Sequence, residues 1–165
     1  MAVAYLGLGS NLGNRLAFLR GARQALSGHP DIELERSSAV YETAAQGGPP
    51  DSPDYLNAVL AIRTGLDPRR LLDFCLEIEK EYGRIRSERW GPRTLDIDLL
   101  LYDDQVLAEE RLQLPHPRLQ ERPFVLVPLA EIAPDVIYPQ KQFSIADLAG
   151  QCPDTGRVIL LRSTW

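Results

Sequence analysis

Arg84-Ile85-Arg86-Ser87-Glu88-Arg89-Trp90-Gly91-Pro92-Arg93-Thr94-Leu95-Asp96-Ile97-Asp98-Leu99-Leu100-Leu101-Tyr102 is the stretch on which the reading of this chain turns. From Leu95 to Tyr102 apolar residues alternate and β-formers dominate, which predicts a strand. Alternation puts Leu95, Ile97, Leu99 and Leu101 on one face. It puts Asp96 and Asp98 on the other, their α-carbons roughly 6.7 Å apart. Carboxylates that close repel by about 2–3 kcal/mol at an effective dielectric of about 20. A bound cation turns that repulsion into a site. Mg²⁺ takes one or two carboxylates and completes its shell with water and substrate phosphate. Two such ions, about 4 Å apart, can clamp an in-line phosphoryl displacement. The arginines upstream (Arg84, Arg86, Arg89, Arg93) supply guanidinium forks that grip phosphate and never lose their charge. Gly91-Pro92 sets a turn, so Arg93 falls at the mouth of the strand, beside Asp96.

Working back from this stretch, Asp67-Pro68 reads as an N-cap with proline in the first helical position, and Gly83 as the stop. Leu71, Leu72, Cys75, Ile78, Glu79 and Tyr82 form the inward stripe. Glu79 is its odd member, and pairing with a surface arginine is one reading of it. Before this helix, Leu56, Ala58, Leu60 and Ile62 alternate with Asn57, Val59, Ala61 and Arg63, so Tyr55 and Asn57 share a strand face. Residues 44–54, with Gly47-Gly48-Pro49-Pro50, read as a long loop between Thr43 and Tyr55. Ile32–Tyr41 is expected to be extended, with a break at Ser37-Ser38. Leu16, Leu19, Ala22, Arg23 and Leu26 mark a first helix, capped by Asn14 and stopped by Gly28-His29-Pro30, with His29 facing solvent. Val3–Leu8 is an opening strand that exits through Gly9-Ser10-Asn11. The glycines of that exit lack the spacing of a dinucleotide fingerprint.

Downstream, Asp103-Asp104 is a turn. Pro128 argues against a central strand, so short helical turns are expected between Arg118 and Leu129. Ser144 caps a last short helix, and Val158–Leu161 is a candidate terminal strand. The order β-α-β-β-α-β with a C-terminal extension predicts a ferredoxin-like α+β fold with an antiparallel sheet, in one domain spanning 1–165.

Arg-Trp-Gly-Pro-Arg-Thr-Leu-Asp-Ile-Asp, over Arg89–Asp98, resembles the signature of the 6-hydroxymethyl-7,8-dihydropterin pyrophosphokinases of folate biosynthesis. The resemblance runs over nearly the whole chain. It implies transfer of pyrophosphate from ATP to the pterin hydroxymethyl group, with release of AMP. It implies that Asp96 and Asp98 hold two Mg²⁺ ions and that Arg84 and Arg93 stabilise the transferring group. On the nucleotide side it implies roles for Glu79, Arg84, Arg86, Trp90, Arg93, Arg111, His116 and Arg122, and for Leu99 through its backbone. On the pterin side it implies Thr43, Gln46, Asn57 and the stacking pair Tyr55 and Phe124. The chain departs from the family pattern at Ala44-Ala45-Gln46, where prolines are usual, and at Gln113 and Pro117.

Composition fits this picture. The chain has 165 residues, enough for a self-sufficient core, with 44% hydrophobic and 25% charged residues. A net charge of −5 disfavours general nucleic-acid affinity. Cys75 and Cys152 lack the spacing of a metal cluster or redox pair. No stretch approaches membrane length and no leader is evident, so the expectation is a cytoplasmic monomer acting on small molecules. The rival from another class is an RNA-recognition domain, which shares the element order. Its central strand should offer aromatics; the strand read as central here carries Asp96 and Asp98, which would repel a phosphate backbone. An inert pterin or ATP sensor is the second rival, disfavoured by the intact acid pair and arginines.

Overall fold

The computed structural model describes residues 1–44, 53–83 and 94–165. Gln46, Arg84, Arg86, Trp90 and Arg93 therefore lie outside the described residues, as does most of the 44–54 loop.

The elements run β1 (Ala2–Ser10), α1 (Arg15–Ser27), β2 (Ile32–Ser37), β3 (Val40–Thr43), β4 (Tyr55–Thr64), α2 (Pro68–Glu81) and β5 (Asp96–Tyr102). There follow a two-residue pair, β6 (Leu107–Ala108) and β7 (Gln113–Leu114), then α3 (Pro123–Ile132), α4 (Ile145–Gln151) and β8 (Ile159–Arg162). Strand order in the main sheet is β5-β1-β4-β3-β8, with β2 also on β4, and every pairing is antiparallel. This is the ferredoxin-like order. β2 and β3 are one extended segment broken at Ser38, whose hydroxyl accepts the Val59 amide at 2.8 Å.

Local chemistry accounts for the helix ends. Asn14 Oδ1 accepts the Ala17 amide at 3.2 Å, and Asp67 Oδ1 accepts that of Arg70 at 3.0 Å. Gly83 takes a positive φ of 76° to end the second helix. Ser144 and Asp147 form a complete capping box at the start of α4.

One face of the sheet packs under α1 and α2: Leu6, Leu8, Leu56, Ala58, Leu60, Ile62, Leu95, Ile97 and Leu99 meet Leu19, Leu26, Leu71 and Ile78 there. The other face meets the C-terminal part of the chain, where Val59, Ala61, Leu100 and Leu101 pack with Leu126, Leu129, Ile145 and Leu148. The extension is thus a third layer, and β8 lengthens the sheet beyond β3.

Four expectations are corrected. Leu101 does not share the face of Leu95, Ile97 and Leu99. The β1–β5 register shifts between Tyr5 and Leu6, and Leu101 turns to the α3 side while Tyr102 joins the first core. β5, which carries the aspartates, is an edge strand; β1 and β4 are central. The Pro123–Ile132 segment is a ten-residue helix with Pro128 inside it, because its burial outweighs the lost hydrogen bond. His29 is half-buried, its ring edge-on to Phe74 at 4.7 Å.

Candidate active site

The register of three strands assembles the site. Gly9 on β1 is the Cα partner of Asp96 on one side and of Asn57 on the other, and Asn57 in turn faces Tyr41. One row therefore runs Asp96–Gly9–Asn57–Tyr41 across four strands, and the next runs Asp98–Gly7–Val59. Val59 and Leu100 place this face on the α3 side, so the acid pair and the Tyr55–Asn57 pair look the same way. About two strand spacings, roughly 9.5 Å, separate the backbones of Asp96 and Asn57.

Asp96 and Asp98 are both half-buried, so the expected acidic face exists. Arg122, the residue before α3, bridges it to the aromatic end. Its Nη1 lies 3.5 Å from Asp98 Oδ2, and its guanidinium carbon sits 5.8 Å from the Phe124 ring centre. His116 is fixed by its own main chain, donating to Leu100 O at 2.9 Å, while its Nδ1 accepts the Arg118 amide at 3.2 Å. With Nδ1 an acceptor, the neutral ring carries its proton on Nε2. Burial holds the His116 pKa below its ordinary value. Asp98 opposes that shift, and Arg122 and Arg118 add to it.

At the other end of the row, Asn57 Nδ2 donates to Thr43 Oγ1 at 2.9 Å, and both residues are buried. Tyr55 is half-buried beside them and pairs in register with Thr43. A cavity of about 140 Å³ opens next to this group, walled by Thr43, Ala44, Pro123 and Phe124 and by Asp154, Arg157 and Val158. Tyr55 and Asn57 do not line it, so it adjoins the proposed ring-reading residues rather than enclosing them.

Glu79, Leu99 and Arg111 are three further nucleotide-side candidates. Glu79 is 2% exposed, and its Oε2 accepts the Ile97 amide at 2.8 Å. That bond reaches the outer edge of β5, between the two aspartates. Leu99 commits its side chain to the helical core, which leaves its main chain as the part that can face a ligand. Arg111 stands exposed, ion-paired with Asp73 of α2 at 2.6 Å. Gly9's place between Asp96 and Asn57 and the Glu79–Ile97 bond are features that sequence reading missed. The Gly9-Ser10-Asn11 exit, which resembles the family's opening loop at the border of the active site, was a signal for the first; nothing in the sequence signals the second.

Among the described residues no cluster of three or more His, Cys, Asp or Glu is poised to hold a metal. The donor set is a carboxylate pair. It fits a hard divalent ion that draws the rest of its shell from water and phosphate oxygens.

Fold and site together define an α+β domain with an acid pair at a sheet edge and an amide-and-aromatic group two strands further in. The chain belongs to the 7,8-dihydro-6-hydroxymethylpterin-pyrophosphokinase (HPPK) family, which it matches over residues 5–134. It is 49% identical over 148 residues to the 2-amino-4-hydroxy-6-hydroxymethyldihydropteridine pyrophosphokinase of Synechocystis sp., covering 90% of this chain and 75% of that one. The protein of that name from Methylorubrum extorquens is 51% identical over 137 residues, covering 83% and 86% respectively. In three dimensions the chain resembles a Plasmodium falciparum HPPK-DHPS crystallised with pteroate, with a TM-score of 0.73 at 14% identity. That match covers 91% of this chain and 42% of the longer one, and bears on the fold. The activity is that of a diphosphotransferase of folate biosynthesis. No helix among the described residues is long and apolar enough to cross a membrane.

Proposed function

We propose that the row Asp96–Gly9–Asn57 divides the labour of this reaction. The acid edge handles the ATP triphosphate, and the Thr43–Asn57–Tyr55 group, with Phe124, holds 6-hydroxymethyl-7,8-dihydropterin. The observation that carries this reading is the register that sets Asp96 and Asn57 on either side of one glycine, on one face. The hydroxymethyl oxygen of a pterin held by Asn57 then has a single strand to cross.

The pterin ring is flat, with donors and acceptors along its edge. Asn57 and Thr43 read that edge, and Tyr55 and Phe124 supply aromatic faces. Arg122 and the Nε2–H of His116 face the triphosphate as donors. Glu79 holds the edge strand so that both carboxylates keep their spacing. Gln46 belongs to the pterin set, and Arg84, Arg86, Trp90 and Arg93 to the nucleotide set, by sequence. Arg111 joins the nucleotide set once it exchanges Asp73 for phosphate. Two Mg²⁺ ions held by Asp96 and Asp98, when bound with ATP, supply neutralisation of the charge that builds on the transferring group. Such chemistry asks for positioning and cations rather than a nucleophilic side chain, which suits this residue set. The pterin oxygen attacks the β-phosphorus in line, and AMP leaves. The enzyme acts as a cytoplasmic monomer in this reading.

The test is incubation with ATP, Mg²⁺ and the pterin alcohol, followed by nucleotide analysis. AMP that appears only when the pterin is present is the expected result. ADP, or pterin-independent hydrolysis, contradicts the reading. Asp96→Ala is expected to cost on the order of 10²–10³ in rate, the usual cost of losing one group aimed at developing charge. Near wild-type turnover in that variant would remove the carboxylate from the machinery.

A further inference from the structure

We infer that Gly9 is a positioning residue for the pterin side of the reaction, its missing side chain being the space that lets Asn57 lean toward the aspartate strand. The inference rests on the functional reading above and extends it to a residue outside that set. A methyl group at Gly9 would stand 3.3 Å from Asn57 Oδ1, 3.7 Å from Tyr55 Cδ1 and 3.9 Å from the Leu56 carbonyl oxygen. The first contact is too close to be taken up without movement, so the carboxamide has to yield by a few tenths of an ångström. It is not free to do so. Its nitrogen is tied to Thr43 Oγ1 at 2.9 Å, and both residues are buried. Any yielding moves a polar side chain that reaches from β4 to Thr43 on β3.

Gly7, two residues earlier on the same face, is the internal contrast. The three atoms nearest a methyl there all belong to the Leu100 side chain, at 3.5–3.7 Å, an ordinary packing distance. Neither glycine has the positive φ recorded for Gly13 and Gly83, so backbone conformation does not demand glycine at position 9. Glycine inside a central strand weakens it, and its presence marks a close approach by something else. Here the close approach is that of Asn57 and Tyr55, the two β4 residues assigned to the pterin.

The test compares wild type, Gly9→Ala and Gly7→Ala. Thermal unfolding checks the fold. Titration with the pterin substrate, in the presence of Mg²⁺ and a non-hydrolysable ATP analogue, reads the pterin side, and titration with the analogue alone reads the nucleotide side. Gly9→Ala is expected to fold, to bind the analogue as wild type does, and to lose pterin affinity about 10-fold. That is a fraction of the ~10²-fold in rate that a 1 Å misplacement of a reacting group can cost. The pterin KM rises in parallel, and Gly7→Ala matches wild type in both titrations. Wild-type pterin affinity in Gly9→Ala, or equal loss of pterin and analogue, overturns the inference. So does failure of Gly9→Ala to fold when Gly7→Ala folds, since the glycine would then serve the sheet alone. If wild type itself forms no AMP from the pterin, the functional reading has failed first, which is a different result from any of these.

Discussion

Replacing Glu79 tests how the acid-bearing edge strand is held. The residue is 2% exposed and its carboxylate accepts the Ile97 amide at 2.8 Å, between Asp96 and Asp98. Glu79→Ala removes a hydrogen bond to a charged group and leaves that amide to find another partner. Such bonds contribute about 1.5–3 kcal/mol. Relief of the carboxylate's own desolvation offsets part of that loss, and the space vacated by the side chain adds to it. The net expectation is a destabilisation of about 2 kcal/mol. At about 2–4 °C per kcal/mol for a chain of this size, Tm falls by about 4–8 °C. Glu79→Gln keeps an acceptor of the same shape and sheds the charge, so it should stay within about 1 kcal/mol of wild type. Thermal unfolding of both variants, with hydrogen exchange at Ile97, makes the comparison. The expected pattern is lost Ile97 protection in the alanine variant and retained protection in the glutamine variant. Unchanged Tm and unchanged Ile97 protection in Glu79→Ala would refute the bracing role.

Other outcomes follow from single contacts. A methyl at Gly21 of α1 would collide with the Tyr82 hydroxyl and ring. Overpacking of about 1–3 kcal/mol should therefore outweigh the roughly 1 kcal/mol of helix propensity that alanine gains, and Gly21→Ala should melt a few degrees lower. A higher Tm would contradict this. For His116, burial first and the two arginines after it depress the folded pKa below 6.5, against the pull of Asp98. Between that depressed value and 6.5 the unfolded chain binds more protons, so the contribution to stability is complete above pH 6.5 and declines as pH falls below it. Denaturant titrations across that range should show a shallower decline in His116→Asn than in wild type; identical slopes would exclude His116 as the cause. Cys75 is buried, and desolvation with Glu79 and Asp98 nearby raises its thiol pKa. It should resist a thiol reagent at pH 8 in the native state and react once unfolded; prompt native labelling would contradict its burial.

The sequence made some parts of this molecule plain and hid others, for physical reasons. The two faces of β4 could be separated because the strand is long and regular, and the structure keeps that alternation from Leu56 to Ile62. Helix boundaries came from Asn14, Asp67 and Ser144, whose capping bonds are local. The bulge in β5 could not be read, since Leu99, Leu100 and Leu101 are chemically alike and only the pairing with β1 shifts their phase. Pro128 rightly excluded a central strand but hid the length of the helix, because propensity penalises proline whereas α3 is buried against the sheet and α4. Asp96 and Asp98 were legible as a pair from their spacing. Their closeness to Asn57 was not, because it depends on β1 lying between two strands far apart in sequence. Glu79 is the sharpest case: it accepts from a main-chain amide 18 residues away, and no pattern of side chains announces that bond.

The claim on which the account rests is that Asp96 and Asp98 seat the divalent ions that accompany ATP. Titration of Mn²⁺, followed by its electron paramagnetic resonance signal, into protein holding a non-hydrolysable ATP analogue tests this directly. Wild type is expected to take up Mn²⁺ beyond what the analogue alone binds. Asp96→Asn and Asp98→Asn should each lose that uptake while keeping their thermal stability. Undiminished Mn²⁺ uptake in both variants would contradict the account.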